Sequence, residues 1–441
     1  MKSKSMGLIV LLGILGCSLI QGMEAKAQTS TQPAGRIYPS DLVYKGAFRF
    51  PKTLNDVSRW GYGGQGLTYY PNGDSLSPND GYPGSLFGIG HSQHQMVSEI
   101  SIPAPVISLS KNANDLPVAT SLQSFADITG GLRDLIGVDR LGGVAYLEPH
   151  GYQTKEKLYW TVFEYYNAAG IDYVSHGCSD LTLADPHAQG GWHIGPKGDP
   201  EFHSMRTADY IFDVARDWAD KHIDGKYLVS GRVREAGAFG SSKGPALFAF
   251  APYQYPPDQL SFGAELDAVP LLYYPEDHPY PDYKACDMWY GGAWLTVGNK
   301  SAVVFVGRKS LGEVYYGEGR PGDCSQAKGY HCGPYEAQIL FYDPEELAQV
   351  ARGERNPWDV VPYEIMRPKD YFWENCGWQL GGAAFDRQNA LLYIVQGGVD
   401  TVTDPYEPYP IVHVFSLAHL AGSASAPDTE PPAIPLGLTI R

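Results

Sequence analysis

An all-β fold of five repeated sheets set around one axis is the class this sequence predicts, and three observations carry it. The first is a recurring Gly-Gly start: Gly63-Gly64-Gln65-Gly66-Leu67, Gly142-Gly143-Val144-Ala145-Tyr146, Gly291-Gly292-Ala293-Trp294-Leu295 and Gly381-Gly382-Ala383-Ala384-Phe385. Paired glycine at the start of a strand means that backbones approach closely and no side chain fits. The second is that each copy leads into another apolar run, at 85–90, 158–163, 303–307 and 391–396, with a degenerate copy at 207–214 and 227–231. The copies recur at roughly 65–90 residues, an internal repeat that points to a propeller or a solenoid. The third is composition: 51 glycines, 34 prolines and 31 tyrosines in 441 residues, with no long low-complexity tract, describe a turn-rich chain with ample aromatic core.

Taken in order, residues 1–27 read as an export signal. Lys2 and Lys4 form the charged start, 8–20 the apolar run, and Ala25-Lys26-Ala27 the cleavage site. Ile14-Leu15-Gly16-Cys17 offers a lipoprotein site at Cys17 as the alternative, but Leu15 is bulky for that position and cleavage after Ala27 is preferred. The expected location is secreted or periplasmic. The formal charge is -16 with the signal included. So acidic a chain is ill suited to phosphate backbones or anionic membranes. Neither nucleic acid nor membrane is an expected partner of the processed chain, which is expected to be a monomer.

Residues 28–40 read as a linker and 41–420 as the repeated domain. The first repeat offers strands at 63–70, 85–90, 96–102 and 118–128. The fourth offers 291–297, 302–308, 337–342 and 358–366, with a long insertion before the third strand. The fifth offers 381–385, 390–396 and 411–416 and then stops. Its missing strand has a candidate at the other end, because residues 41–51 resemble residues 359–368. An N-terminal strand that completes the last sheet closes the ring and removes its open edges. The arrangement resembles that of five-bladed β-propellers. The resemblance is architectural and covers residues 41–420. Residues 421–441, rich in Ala, Ser and Pro, read as a tail.

Five cysteines remain beyond the signal. Cys324 and Cys332 flank a short loop and are expected to staple it. Cys286 and Cys376 each stand shortly before a Gly-Gly, so they hold equivalent places in neighbouring repeats and are expected to bridge, leaving Cys178 over. A zinc site is the rival reading, without C-x-x-C spacing to support it.

If the first two strands of each sheet are antiparallel, the loops before each Gly-Gly and after each second strand crowd one rim. Variable loops on a rigid scaffold are where sites sit. Ahead of the Gly-Gly pairs come Trp60, Trp289 and Trp378. After the second strands come His91 and His94, Glu164 and Tyr165, Arg232, Arg234 and Glu235, and Arg308 and Lys309, with Tyr315 further on. Indole faces stack on pyranose rings and Arg holds carboxylate bidentately, so the set suits an anionic sugar. Each member also has a plain structural reading. Trp packs blade on blade, and Arg bridges blades through carbonyl groups. His91 and His94 lack a third metal ligand. Asp400, Asp404 and Glu407 are calcium candidates without a calcium-loop spacing. No cofactor or metal is expected, with calcium as the alternative.

In the kinds of residue it offers, the rim is similar to propeller-type polysaccharide lyases. A uronate lyase needs a cation on the carboxylate and a Tyr or His to move the C5 proton. That resemblance implies His91, Tyr165 and Tyr315 as catalytic groups and the remaining rim residues as contacts to an acidic glycan. Propeller glycosidases, which need two carboxylates across the scissile bond, commonly keep an acid early on the first inner strand. Here residues 63–70 carry none. A non-catalytic propeller that binds a glycan or a protein is the remaining class.

Overall fold

The computed structural model describes residues 35–423, apart from 54–55, 75–80 and 233–239. The expected signal and all but the start of the tail lie outside the described residues, as do Arg234 and Glu235.

β1 (Val43–Arg49) comes first in the chain but sits outermost in the last sheet. β2 (Leu67–Tyr70), β3 (Ser85–Ile89), β4 (Val97–Ser101) and β5 (Ser121–Ala126) form the first blade. The second is β6 (Arg140–Leu147), β7 (Lys157–Phe163), β8 (His176–Ser179) and β9 (Gln189–Ile194). The third begins with β10 (Tyr210–Asp213), β11 (Leu228–Gly231) and β12 (Leu247–Phe250). The two-residue β13 (Glu265–Leu266) pairs in parallel with β9, and β14 (Ala268–Leu272) completes the third blade. In the fourth, β15 (Met288–Val297) and β16 (Lys300–Ser310) precede an inserted hairpin of β17 (Tyr315–Gly317) and β18 (Gly329–His331). β19 (Tyr335–Tyr342) and β20 (Glu364–Met366) finish that blade. The fifth is β21 (Leu380–Asp386), β22 (Leu391–Asp400) and β23 (Tyr409–Ser416), against which β1 lies antiparallel, Val43 opposite Ser416 and Arg49 opposite Ile411. These five sheets, antiparallel apart from the β9–β13 pair, make a five-bladed β-propeller. The fourth strand of the fourth blade is shorter than expected, because Pro357–Asp359 forms a 3-10 turn.

The glycines explain how five strands converge. A Cβ on Gly66 would lie 3.2 Å from Gly143, one on Gly142 2.6 Å from Asp209 O, and one on Gly292 2.6 Å from the Phe212 ring. A Cβ on Gly291 would lie 2.7 Å from Gly381 O, and one on Gly381 only 2.0 Å from Gly64 O. Read together, these approaches run from blade to blade around a full ring. A side chain at any of them meets a neighbouring inner strand. The apolar core fills the wedges between blades. Ile89 and Trp160 share one cluster, Tyr210 and Phe305 another, Val304 and Ile394 a third, and Leu86 and Tyr393 a fourth. Each fully buried large side chain contributes about 1.5–3 kcal/mol.

The disulfides correct the expected pairing. They are Cys286–Cys332 and Cys324–Cys376, with Cα atoms 6.0 and 5.3 Å apart, and not Cys324–Cys332 and Cys286–Cys376. The reason is the inserted hairpin. β18 lies between Cys324 and Cys332 and carries them apart: Cys332 folds back beside the residue ahead of β15, while Cys324 reaches the segment ahead of β21. Cys178 is free and buried, and burial pushes its thiol up to about 12. Two disulfides fit maturation in an oxidising compartment. Among the described residues no helix is long and apolar enough to cross a membrane.

Candidate functional site

Antiparallel pairing sets Met288 of β15 opposite Arg308 of β16, so the start of an inner strand and the end of its neighbour share one rim. On that rim a cup of about 590 Å³ opens between the second, third and fourth blades. Arg232 follows β11 and Arg308 lies near the end of the blade-four counterpart β16, and both line the cup. Tyr165 and Tyr166, after β7, form one side. Met205, Met288 and Tyr290 also line it. The far wall is the inserted hairpin, with Tyr316, Lys328, Tyr330 and His331. Tyr166 and Tyr316 are 77% and 61% exposed, so phenol rings stand at the mouth.

The two arginines are held alike. The Arg232 guanidinium lies 4.3 Å over the Phe163 ring, and its Nη2 donates to Glu164 O at 3.2 Å. The Arg308 guanidinium lies 4.4 Å over Tyr335, and its Nη1 donates to Gly377 O at 3.2 Å. Each also reaches a methionine sulfur, Met205 Sδ at 3.2 Å and Met288 Sδ at 3.5 Å. Both arginines therefore bridge neighbouring blades through carbonyl groups, and an open cavity remains in front of them. Arg308 makes no ion pair among the described residues, and its buried Nε has no hydrogen-bond partner. Glu164 contributes its carbonyl to Arg232. Its half-buried carboxyl is pushed upward by burial and then by Asp139, against the pull of Arg140 and Arg232.

The other expected rim residues lie elsewhere. Trp60 and Trp289 are fully buried, Trp60 between Phe50 and Phe125 and Trp289 against Tyr280. Trp378 packs half-buried against the wedge between blades four and five. None of the three lines the cup. Indoles at crowded strand starts turn into the wedges, where they bury more area than a rim offers. His91 is 3% exposed and stacks on His94 with centroids 4.7 Å apart. Its Nδ1 accepts from Gln93 N, His94 Nδ1 meets Ser58 Oγ at 3.1 Å, and burial lowers the His91 pKa. Neither histidine lines the cup. Tyr315 stacks on His331, donates to Asp323 and is covered by Arg320, while its neighbour Tyr316 takes the place at the cup. Lys309 follows Arg308 on a strand, and alternation sends it to the other face. There its Nζ pairs with the fully buried Asp287 at 2.7 Å.

Among the described residues no cluster of three or more His, Cys, Asp or Glu is fit to hold a metal. Asp400 accepts from Val402 N and Thr403 N and Asp404 from Tyr406 N and Glu407 N, so these two serve their own loop, while Glu407 ties that loop to Arg59 on the segment ahead of β2. Sequence reasoning missed the hairpin wall. Its signal was the cysteine-bracketed insertion, whose Tyr316, Lys328 and Tyr330 belong to no repeat.

No family model matches the chain, and no curated protein does. Among solved structures the chain is similar to a β-fructofuranosidase from Schwanniomyces occidentalis complexed with fructosyl-erythritol. That similarity has 10% identity and a TM-score of 0.39, over 84% of this chain and 58% of that one. It is also similar to an oxidoreductase assigned as a glucose dehydrogenase from Thermus thermophilus, with 11% identity and a TM-score of 0.34 over 83% of this chain and 100% of that one. The chain thus spans less than two thirds of the fructofuranosidase. Likenesses this loose carry nothing about substrate, and the five-bladed architecture rests on the strand pairings.

Proposed function

We propose that the cup binds an acidic saccharide through a carboxylate held at Arg308 and Arg232, with tyrosine rings against the sugar faces. The observation that supports this most is Arg308: a half-buried guanidinium side chain in a cavity wall, without an ion pair among the described residues. A guanidinium that lines a cavity without a counter-ion favours an anionic acceptor, and a carboxylate satisfies it best. The volume lies within the ordinary range for small-ligand sites. Eliminative cleavage is the catalytic form of the same reading: Tyr165 takes the C5 proton, the C4–O bond breaks as the C4=C5 double bond forms, and the proton passes to the leaving glycosidic oxygen, while the arginines hold the carboxylate. Hydrolysis has less support, because the described residues lining the cup include no carboxylate pair.

The test is binding to uronate, sulfated and neutral oligosaccharides, with product absorbance followed in parallel. Arg308→Ala is expected to weaken uronate binding by about 2–5 kcal/mol, the range for removing one partner of a buried charge pair. Arg308→Lys restores only part of it, since the planar fork is lost. Ultraviolet absorbance from an unsaturated uronate, lost in Tyr165→Phe, selects the lyase form. Saturable binding without product selects the binding form. Equal affinity for neutral and uronate ligands, unchanged by Arg308→Ala, rejects both.

A further inference from the structure

We propose that Lys328, on the inserted hairpin, holds a second negative charge, so that the cup selects two consecutive uronate rings over a single acidic ring among neutral ones. The inference rests on the carboxylate reading of the cup and names its substrate class. The described residues lining the cup include Arg232, Arg308 and Lys328 and neither Asp nor Glu, in a chain whose formal charge is -16. A concave wall that carries one sign of charge gathers ligands of the other sign. These cations stand at two depths. Arg232 is 3% exposed and Arg308 is half-buried, whereas Lys328 is exposed. The Lys328 Nζ lies 5.9 Å from the centroid of the Tyr316 ring, which stands at the mouth.

The turn that carries Lys328 is pinned on both sides. His331 Nε2 meets Ala327 O and Gly317 O, each at 3.1 Å, and the Ala327 N–H donates to Ser325 Oγ at 3.1 Å. Gly329 pairs with Gly317 across the hairpin, and Cys324 is bonded to Cys376. Asp323 of the same hairpin accepts from Tyr315 Oη and Arg320 N. Lys328 makes no ion pair among the described residues, so its ammonium group is left for a ligand. The two kinds of cation then divide the recognition. A guanidinium fork matches one planar carboxylate, and an ammonium is a point charge that accepts a second from any direction. In a chain of linked uronates, a ring with its carboxylate at the arginines brings another carboxylate on its neighbour. A neighbour toward the mouth presents it to Lys328. Where uronates alternate with neutral rings, Lys328 receives no charge.

The experiment is calorimetric titration of the whole chain with digalacturonate, dimannuronate and diguluronate, each as the diacid and as its two mono-methyl esters. An ester removes one charge and leaves the sugar in place. For at least one diuronate, esterifying the ring at Lys328 is expected to weaken binding about three- to fivefold, the upper range of an exposed ion pair. Lys328→Met is expected to cost the diacid the same factor, with no further loss for that ester. Lys328→Arg keeps the advantage of the diacid, and raised ionic strength shrinks it. If Lys328→Met weakens the diacid and both esters alike, or none of them, while Arg308→Ala still weakens the diacid, the proposal is overturned and the reading of the cup stands. If no uronate ligand binds, or every one binds Arg308→Ala as tightly as the native chain, the reading of the cup fails and the proposal falls with it.

Discussion

Two histidines are held neutral inside the propeller by burial. His413 meets Tyr44 Oη and Gln396 Oε1, each at 2.9 Å, and His176 meets Ser175 Oγ at 2.9 Å and Ser230 Oγ at 2.8 Å. Burial lowers both from 6.5 to about 3. The unfolded chain takes up a proton that the native state refuses, so the stability tied to each is full above 6.5 and is lost as pH falls toward 3. Each contributes about 1.4 kcal/mol per pH unit within that window. His413→Gln is expected to flatten the acid limb of unfolding free energy by that slope between about pH 6 and pH 4, in urea titrations at stepped pH; an unchanged slope rejects the assignment. Asp287 is the other residue of consequence. It is fully buried and holds both Lys309 and the Ser310 N–H. Asp287→Ala leaves the buried Lys309 ammonium without its counter-charge and with only the Asp282 carbonyl as partner, and a loss of about 3–5 kcal/mol is expected from the urea midpoint and slope.

At the scale of elements, the inserted hairpin is the part of the cup with a separate origin. It is tied down twice, by the buried Cys332 to Cys286 and by the exposed Cys324 to the exposed Cys376. Little else of it is buried, so it is expected to open before the blades do. In Cys324→Ser the first protease cuts should fall within 311–334, with the blades still folded. A cleavage pattern like that of the native chain would count against the tether. The inner strands behave in the opposite way, because their glycines face backbone that cannot yield. Gly381→Ala puts a Cβ 2.0 Å from Gly64 O. The expected destabilisation is about 3 kcal/mol, the upper end of the overpacking range, read from thermal unfolding.

At the scale of the whole molecule, the first and last strands of the propeller meet in one sheet. β1 covers β23, where Val412, Val414 and Phe415 are fully buried. A chain that starts after Arg49 exposes that row and a full edge of unpaired backbone groups. It is expected to lose its single cooperative melt and to aggregate. A native-like melt from circular dichroism would show that β1 is dispensable.

The sequence by itself determined the number of sheets and where each begins. Gly-Gly starts such as Gly291-Gly292 are local marks of a global fact, since only the convergence of strands requires them. It also placed Tyr165, Arg232 and Arg308 at equivalent strand ends, which repetition turns into shared height and radius. Only the tertiary structure decided the rest. Trp60 and Trp289 suit a wedge as well as a rim, and the space between blades took them. Lys309 differs from Arg308 by one step of strand alternation, which the buried partner Asp287 makes visible. The cysteines were all in view, but their pairing depends on how an insertion outside the repeat folds back, and repetition says nothing about a segment that does not repeat.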